Sequence, residues 1–135
     1  MELAGVDAFD LDVAANDENA VAPEWYTLAD DGVTCAWYGR VWCNPPYSDI
    51  RRWVEKATEK RSDYRLAAML LPANRTEQAW WQDLIEQPRR DGDLDVYFLR
   101  GRRRFDRPGW EKPAKGDRPP FGLVLVVFRQ SSSSR

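Results

Sequence analysis

The sequence contains no histidine. That absence removes Ser-His-Asp and Cys-His nucleophilic catalysis, and with them the usual imidazole-based zinc sites. Cysteine is scarce: Cys35 and Cys43 are too few for a disulfide framework or a four-cysteine metal site. Reduced thiols in a cytoplasmic protein without a resident metal are the simplest expectation. Long apolar runs are also missing. The longest, Phe121 to Phe128, is far too short to cross a bilayer, and no signal peptide is read at the start, so no membrane association is expected. There is no internal repeat, no P-loop and no G-x-G-x-x-G. Basic residues are absent from residues 1–31, which hold nine acids.

What is present points to a packed protein. A chain of 135 residues with seven Trp is expected to form one domain over residues 1–130, burying about two-thirds of its surface. A flexible Ser-rich tail is expected over residues 131–135. The formal charge is only −2, but residues 100–118 carry eight basic side chains against three acids. Such a segment suits phosphates, and an ordinary solvated loop is the competing explanation.

The chain is organised around Val41-Trp42-Cys43-Asn44-Pro45-Pro46-Tyr47-Ser48. The apolar residues read as the end of a buried strand. Asn44 then carries an amide onto the strand's carboxyl edge. Pro45 and Pro46 each lack an N–H and fix φ, which forbids both strand pairing and an immediate helix. Tyr47 closes the turn with a flat ring, and Ser48 is suited to cap the following helix. The expected product is a rigid lip in the crevice where open α/β sheets bind ligands. An exocyclic amine could donate one hydrogen to the Asn44 oxygen and the other to the Pro45 carbonyl, with its ring stacked on Tyr47. Accepting both hydrogens draws the nitrogen toward a pyramidal shape and exposes its lone pair to an activated methyl group. No prior general base is needed, so catalysis would rest on placement and fixed dipoles. A rigid turn without chemistry fits the same four residues.

Around the lip the pattern alternates between strand and helix. Ala8 to Ala15 reads as a short strand ending near Asp12, with Ala14 and Ala15 small enough for close ligand approach. Asp12 is placed to accept from an ammonium or a hydroxyl, or is a solvated loop acid. Residues 16–40 read as an ordered irregular loop in which Asp30 or Asp31 could bind ribose hydroxyls or simply form an Asp-Gly turn. Ile50, Trp53, Val54 and Ala57 predict a helix over residues 49–61. Leu66 to Leu71, ended by Pro72, predicts a buried parallel strand. A second helix is expected from Thr76, ended by Pro88 and Gly92, then a strand from Asp95 to Leu99. Residues 106–120 predict a long basic loop, and Phe121 to Arg129 a closing strand that could be antiparallel. The order argues for an α/β fold with a mostly parallel sheet and helices on both faces.

With this order laid out, the chain resembles the phage DNA N-6-adenine methyltransferase family. The likeness rests on Phe9-Asp10-Leu11-Asp12-Val13-Ala14-Ala15, Asp31-Gly32 with Trp37, and the Asn44-Pro45-Pro46-Tyr47 block. It continues through Leu70-Leu71-Pro72-Ala73 with Arg75-Thr76 and Trp80-Trp81, Gly101-Arg102 with Phe105, and Phe121-Gly122. The resemblance implies a compact Rossmann-like methyltransferase sheet, S-adenosylmethionine as cofactor, DNA as partner, and a phage-encoded protein acting in the bacterial cytoplasm. Asn44, Pro45, Pro46 and Tyr47 are then the candidate catalytic residues. Asp12, Ala14, Asp31 and Asn44 are the candidate cofactor contacts, and Arg75, Arg102, Arg103 and Arg104 the candidate DNA contacts. The chain departs from the family's pattern in two places: no Thr-Pro segment precedes the first strand, and Ala14-Ala15 stands where many larger methyltransferases carry a Gly-rich turn. Two other readings share the motif: methylation of protein glutamine amides, and a DNA-binding module without catalysis.

Overall fold

Leu66–Pro72 is apolar at every position, and the computed structural model, which describes residues 8–100 and 122–131, buries the whole segment. Successive side chains point to opposite faces of a sheet, so a continuous apolar run implies cover on both sides. Ala67, Met69 and Leu71 join one apolar cluster, and Leu66, Ala68 and Leu70 the other. Leu123–Arg129 divides in the same way, with Val124, Val126 and Phe128 on the first face.

The strands are β1 (Leu11–Asp12), β2 (Glu24–Trp25), β3 (Arg40–Cys43), β4 (Leu66–Pro72), β5 (Leu94–Phe98) and β6 (Leu123–Arg129), ordered β2-β1-β3-β4-β6-β5. β1 pairs in parallel with β2 and β3, and β3 with β4. β6 is antiparallel to both β4 and β5, so it alone is reversed. The mostly parallel sheet holds by direction, yet the two longest ladders are the antiparallel ones. β2 interrupts the stretch read as irregular: its two residues carry no alternation, and their pairing with Leu11 and Asp12 is a tertiary event.

Helix α1 (Ile50–Glu59) buries Ile50, Trp53, Val54 and Ala57, the stripe expected from their spacing. The second helical rod starts later than expected. It runs as α2 (Ala79–Trp81), a π turn over Gln82–Glu86, and α3 (Gln87–Asp91). Pro88 does not end it. A proline crowds the carbonyl four residues back, and the wider turn immediately ahead accommodates the ring. Gly92, at φ 83°, ends the rod instead. Among the described residues, both helical segments contribute to the cluster on the Met69 face and neither to the other cluster. The expectation of helices on both faces is therefore corrected: their apolar stripes meet one face only. The basic loop over residues 106–120 and residues 132–135 of the tail lie outside the described residues.

Candidate functional site

The chain passes from β1 to β2 on one side of the sheet and then to β3 on the other. Between β1 and β3 is therefore a switch point, where the connections leave a crevice at the strands' carboxyl ends. Asp12 ends β1, and its register partner is Trp42. Asn44 follows two residues later, at the same edge of the sheet. Two residues predicted from sequence to serve one site are thus carried on adjacent parallel strands.

The lip forms as expected, with one change. Trp42 and Cys43 are buried, as is Pro45, while Asn44 and Tyr47 are partly exposed. Pro46 holds an extended conformation, φ −64° and ψ 130°, and the Asp49 N–H donates to its carbonyl at 3.1 Å. That bond opens a 3-10 turn over Tyr47–Asp49, so Ser48 lies inside this turn and Asp49 takes the position before α1. Among the described residues, no hydrogen bond engages the Asn44 side-chain amide or the Pro45 carbonyl. Tyr47 packs against both apolar clusters at the sheet's edge. Arg75, read from sequence as a DNA contact, donates from Nη1 to the Tyr47 carbonyl at 2.7 Å.

Asp12 is buried at 2% exposure. Its Oδ1 accepts the Ala14 N–H at 3.2 Å and its Oδ2 the Val21 N–H at 3.1 Å. Burial raises its carboxyl above the ordinary range, against the lowering effect of these two bonds. The carboxylate thus shapes the loop between β1 and β2, and Ala14 stands partly exposed beside it. Burial, and after it the charge of nearby Asp12, pushes the Cys43 thiol well up, which leaves it an inert core side chain.

Asp31 adopts the left-handed conformation at φ 56°. Its Oδ2 accepts Arg52 Nη2 at 3.3 Å, while Arg52 Nη1 reaches Asp49 Oδ2 at 2.9 Å. Arg52 therefore ties the Asp31 loop to the start of α1. The Asp49–Arg52 pair was legible as an i,i+3 spacing, whereas no sequence signal joins Arg52 to Asp31. Asp30 is occupied locally, accepting the Thr27 N–H at 2.8 Å. Beneath this loop Trp37 Nε1 donates to the Gly32 carbonyl at 2.9 Å.

Arg102, Arg103 and Arg104 lie outside the described residues. Their attachment points do not. The chain leaves β5 through Leu99 and Arg100 and returns through Gly122. The Leu99 N–H donates to the Leu123 carbonyl at 3.0 Å, and the Ala73 N–H to the Gly122 carbonyl at 2.9 Å. Because β6 is reversed, both attachment points fall at the edge that carries Asp12, Asn44 and Arg75.

A family model and a curated relative agree on one family. The model of the family described as DNA N-6-adenine-methyltransferase (Dam) matches residues 3–135. A DNA N-6-adenine-methyltransferase of Escherichia phage T1 is 37% identical over 138 residues, covering 90% of this chain and 55% of the relative. The chain thus spans about half the length of that curated relative. Among solved structures, a candidate RNA methyltransferase from Pyrococcus horikoshii is similar at 14% identity and a TM-score of 0.43, covering 84% of this chain and 52% of that one.

Proposed function

This chain belongs to the DNA N-6-adenine-methyltransferase family, and from that premise we propose that it methylates the exocyclic amine of adenine in DNA, using S-adenosylmethionine. The observation that carries the proposal is the pair of oxygens on the lip. Asn44 Oδ1 and the Pro45 carbonyl oxygen have no hydrogen-bond partner among the described residues, beside a partly exposed aromatic ring.

The crevice fits the cofactor by its chemistry. Small Ala14 stands at the end of β1, and Asp31 presents a carboxylate whose side chain is 44% exposed, suited to ribose hydroxyls. Asp12 contributes by fixing the loop that carries Ala14, because both its oxygens are already bonded. Asn44 closes the crevice on the β3 side. S-adenosylmethionine, when bound, supplies an electrophilic methyl group.

The chain's own residues do the rest. Asn44 Oδ1 and the Pro45 carbonyl accept the two amine hydrogens and aim the nitrogen lone pair out of the ring plane. Buried Pro45 holds its carbonyl in place, so these dipoles need no reorganisation during reaction. The amine becomes acidic only after transfer, and its proton can leave to water. Adenine in a duplex must first be extruded, at a cost of a few kcal/mol. Stacking on Tyr47, worth about 1–3 kcal/mol, offsets much of this. The segment 100–118, whose described flanks Leu99 and Gly122 fall at the same edge, is proposed to meet DNA phosphates through Arg102, Arg103 and Arg104. Activity would then fall steeply with salt.

The test is methyl transfer from labelled cofactor to unmethylated DNA, with RNA and protein acceptors in parallel. DNA should be labelled, and Asn44→Ala should lose on the order of 100-fold or more in kcat while remaining folded. Labelling of protein alone would move the assignment to side-chain amides. DNA binding without heat on addition of S-adenosylmethionine would leave only a binding module.

A further inference from the structure

We infer that Arg75 is a positioning residue that holds the lip in its working shape. The inference rests on the proposed adenine methylation and assigns a distinct task within it. The Tyr47 carbonyl lies at the joint between two prolines and the 3-10 turn. Rotation about the Tyr47 N–Cα bond would swing this carbonyl and the Tyr47 ring together relative to the Pro45 carbonyl. The two prolines restrict motion on one side only, since they fix their own φ and not the Tyr47 torsions. Arg75 Nη1 holds the other side with a charge-assisted bond of 2.7 Å.

The donor itself stands on a fixed base. Before it, the Ala73 N–H is bonded to the Gly122 carbonyl at 2.9 Å. After it, the Gln78 N–H donates to the Arg75 carbonyl at 3.1 Å, and Gln82 Nε2 donates to the Thr76 carbonyl at 2.7 Å. Gln78 Oε1 in turn accepts from Nε1 of buried Trp80 at 2.7 Å. The turn after β4 is therefore tied to the sheet on one side and to the helical rod on the other. From that base Arg75 reaches across to the turn after β3. A guanidinium serving only as a phosphate contact has no need of a half-buried bond to a backbone carbonyl in the catalytic turn.

Arg75→Met keeps the length and apolar bulk of the stem while removing the donor. It should lower kcat by on the order of 10- to 100-fold, as a small misplacement of reacting groups does, with the salt dependence of DNA binding unchanged. Quenching of 2-aminopurine placed at the target position, which reports stacking on Tyr47, should weaken in parallel. Amide exchange at residues 47–50 should quicken. Arg75→Lys, which can still donate one N–H, should recover part of kcat. The opposite pattern overturns the inference: an unchanged kcat with weaker DNA binding and a salt slope reduced by about one makes Arg75 a phosphate contact. If the unsubstituted chain transfers no methyl group, the functional proposal falls. Exchange at residues 47–50 in Arg75→Met then still decides whether Arg75 holds the turn.

Discussion

Gly32 lies so close to Val13 that a β-carbon on residue 32 would stand 2.0 Å from the Val13 carbonyl oxygen. The Asp31 loop and the segment leaving β1 are thereby in backbone contact, which brings two candidate cofactor residues, Asp31 and Ala14, to one place. Gly32→Ala must push these segments apart. The expected cost is about 1–3 kcal/mol of stability, measured by denaturant unfolding. Binding of S-adenosylmethionine, followed by calorimetry, should weaken as well.

Asp12 should prove a loop organiser with a measurable stability role. Removing its carboxylate leaves the Ala14 and Val21 N–H groups without their acceptors. Asp12→Ala should cost about 1–3 kcal/mol, and Asp12→Asn, which keeps one acceptor, less. Because burial raises this carboxyl in the folded state, its contribution is fully present below the unfolded carboxyl value and is lost as pH rises through the folded one. Asp12→Asn should remove that part of the pH dependence in a stability profile.

Tyr47 should act through its ring and not its hydroxyl. Tyr47→Phe is expected to retain most of the transfer activity, since the stacking face is unchanged. Tyr47→Ala should lose about 1–3 kcal/mol of target-base binding, read from affinity for DNA carrying an unpaired target adenine. Equal losses in both variants would assign the work to the phenol oxygen.

Acid sensitivity should centre partly on the second helical rod. Glu86 is held down from 4.5 to about 2, first by its hydrogen bond from Arg89, and further by Trp81 and Arg90. A lowered carboxylate stabilises the fold above its unfolded value and loses that contribution as pH falls toward about 2. Glu86→Gln should therefore flatten the decline in unfolding midpoint between about pH 4.5 and 2, followed by tryptophan fluorescence. A decline as steep as in the unsubstituted chain would show that the ion pair is screened out in solution.

Some of this architecture was legible in the sequence because its causes are short-range. The spacing of Ile50, Trp53, Val54 and Ala57 specifies the face of α1 wherever that helix packs. The continuous apolar runs of β4 and β6 specify strands covered on both sides. Asn44-Pro45-Pro46-Tyr47 specifies a stiff turn after β3, since two residues without N–H groups leave the backbone few alternatives. Other features depended on neighbours distant in sequence. The pairing of β2 with β1, the reversal of β6 between β4 and β5, the bond from Arg75 to the Tyr47 carbonyl and the bridge from Arg52 to Asp31 all join segments whose proximity no local pattern encodes. Asp12 carries the lesson for the site: its position at a strand end was readable, but the engagement of both its oxygens by backbone amides was not. Torsional restriction and side-chain periodicity act within a few residues and survive in the written chain. Partner choice for a carboxylate or a guanidinium is settled only once the sheet has brought the competing donors and acceptors within about 3 Å of each other.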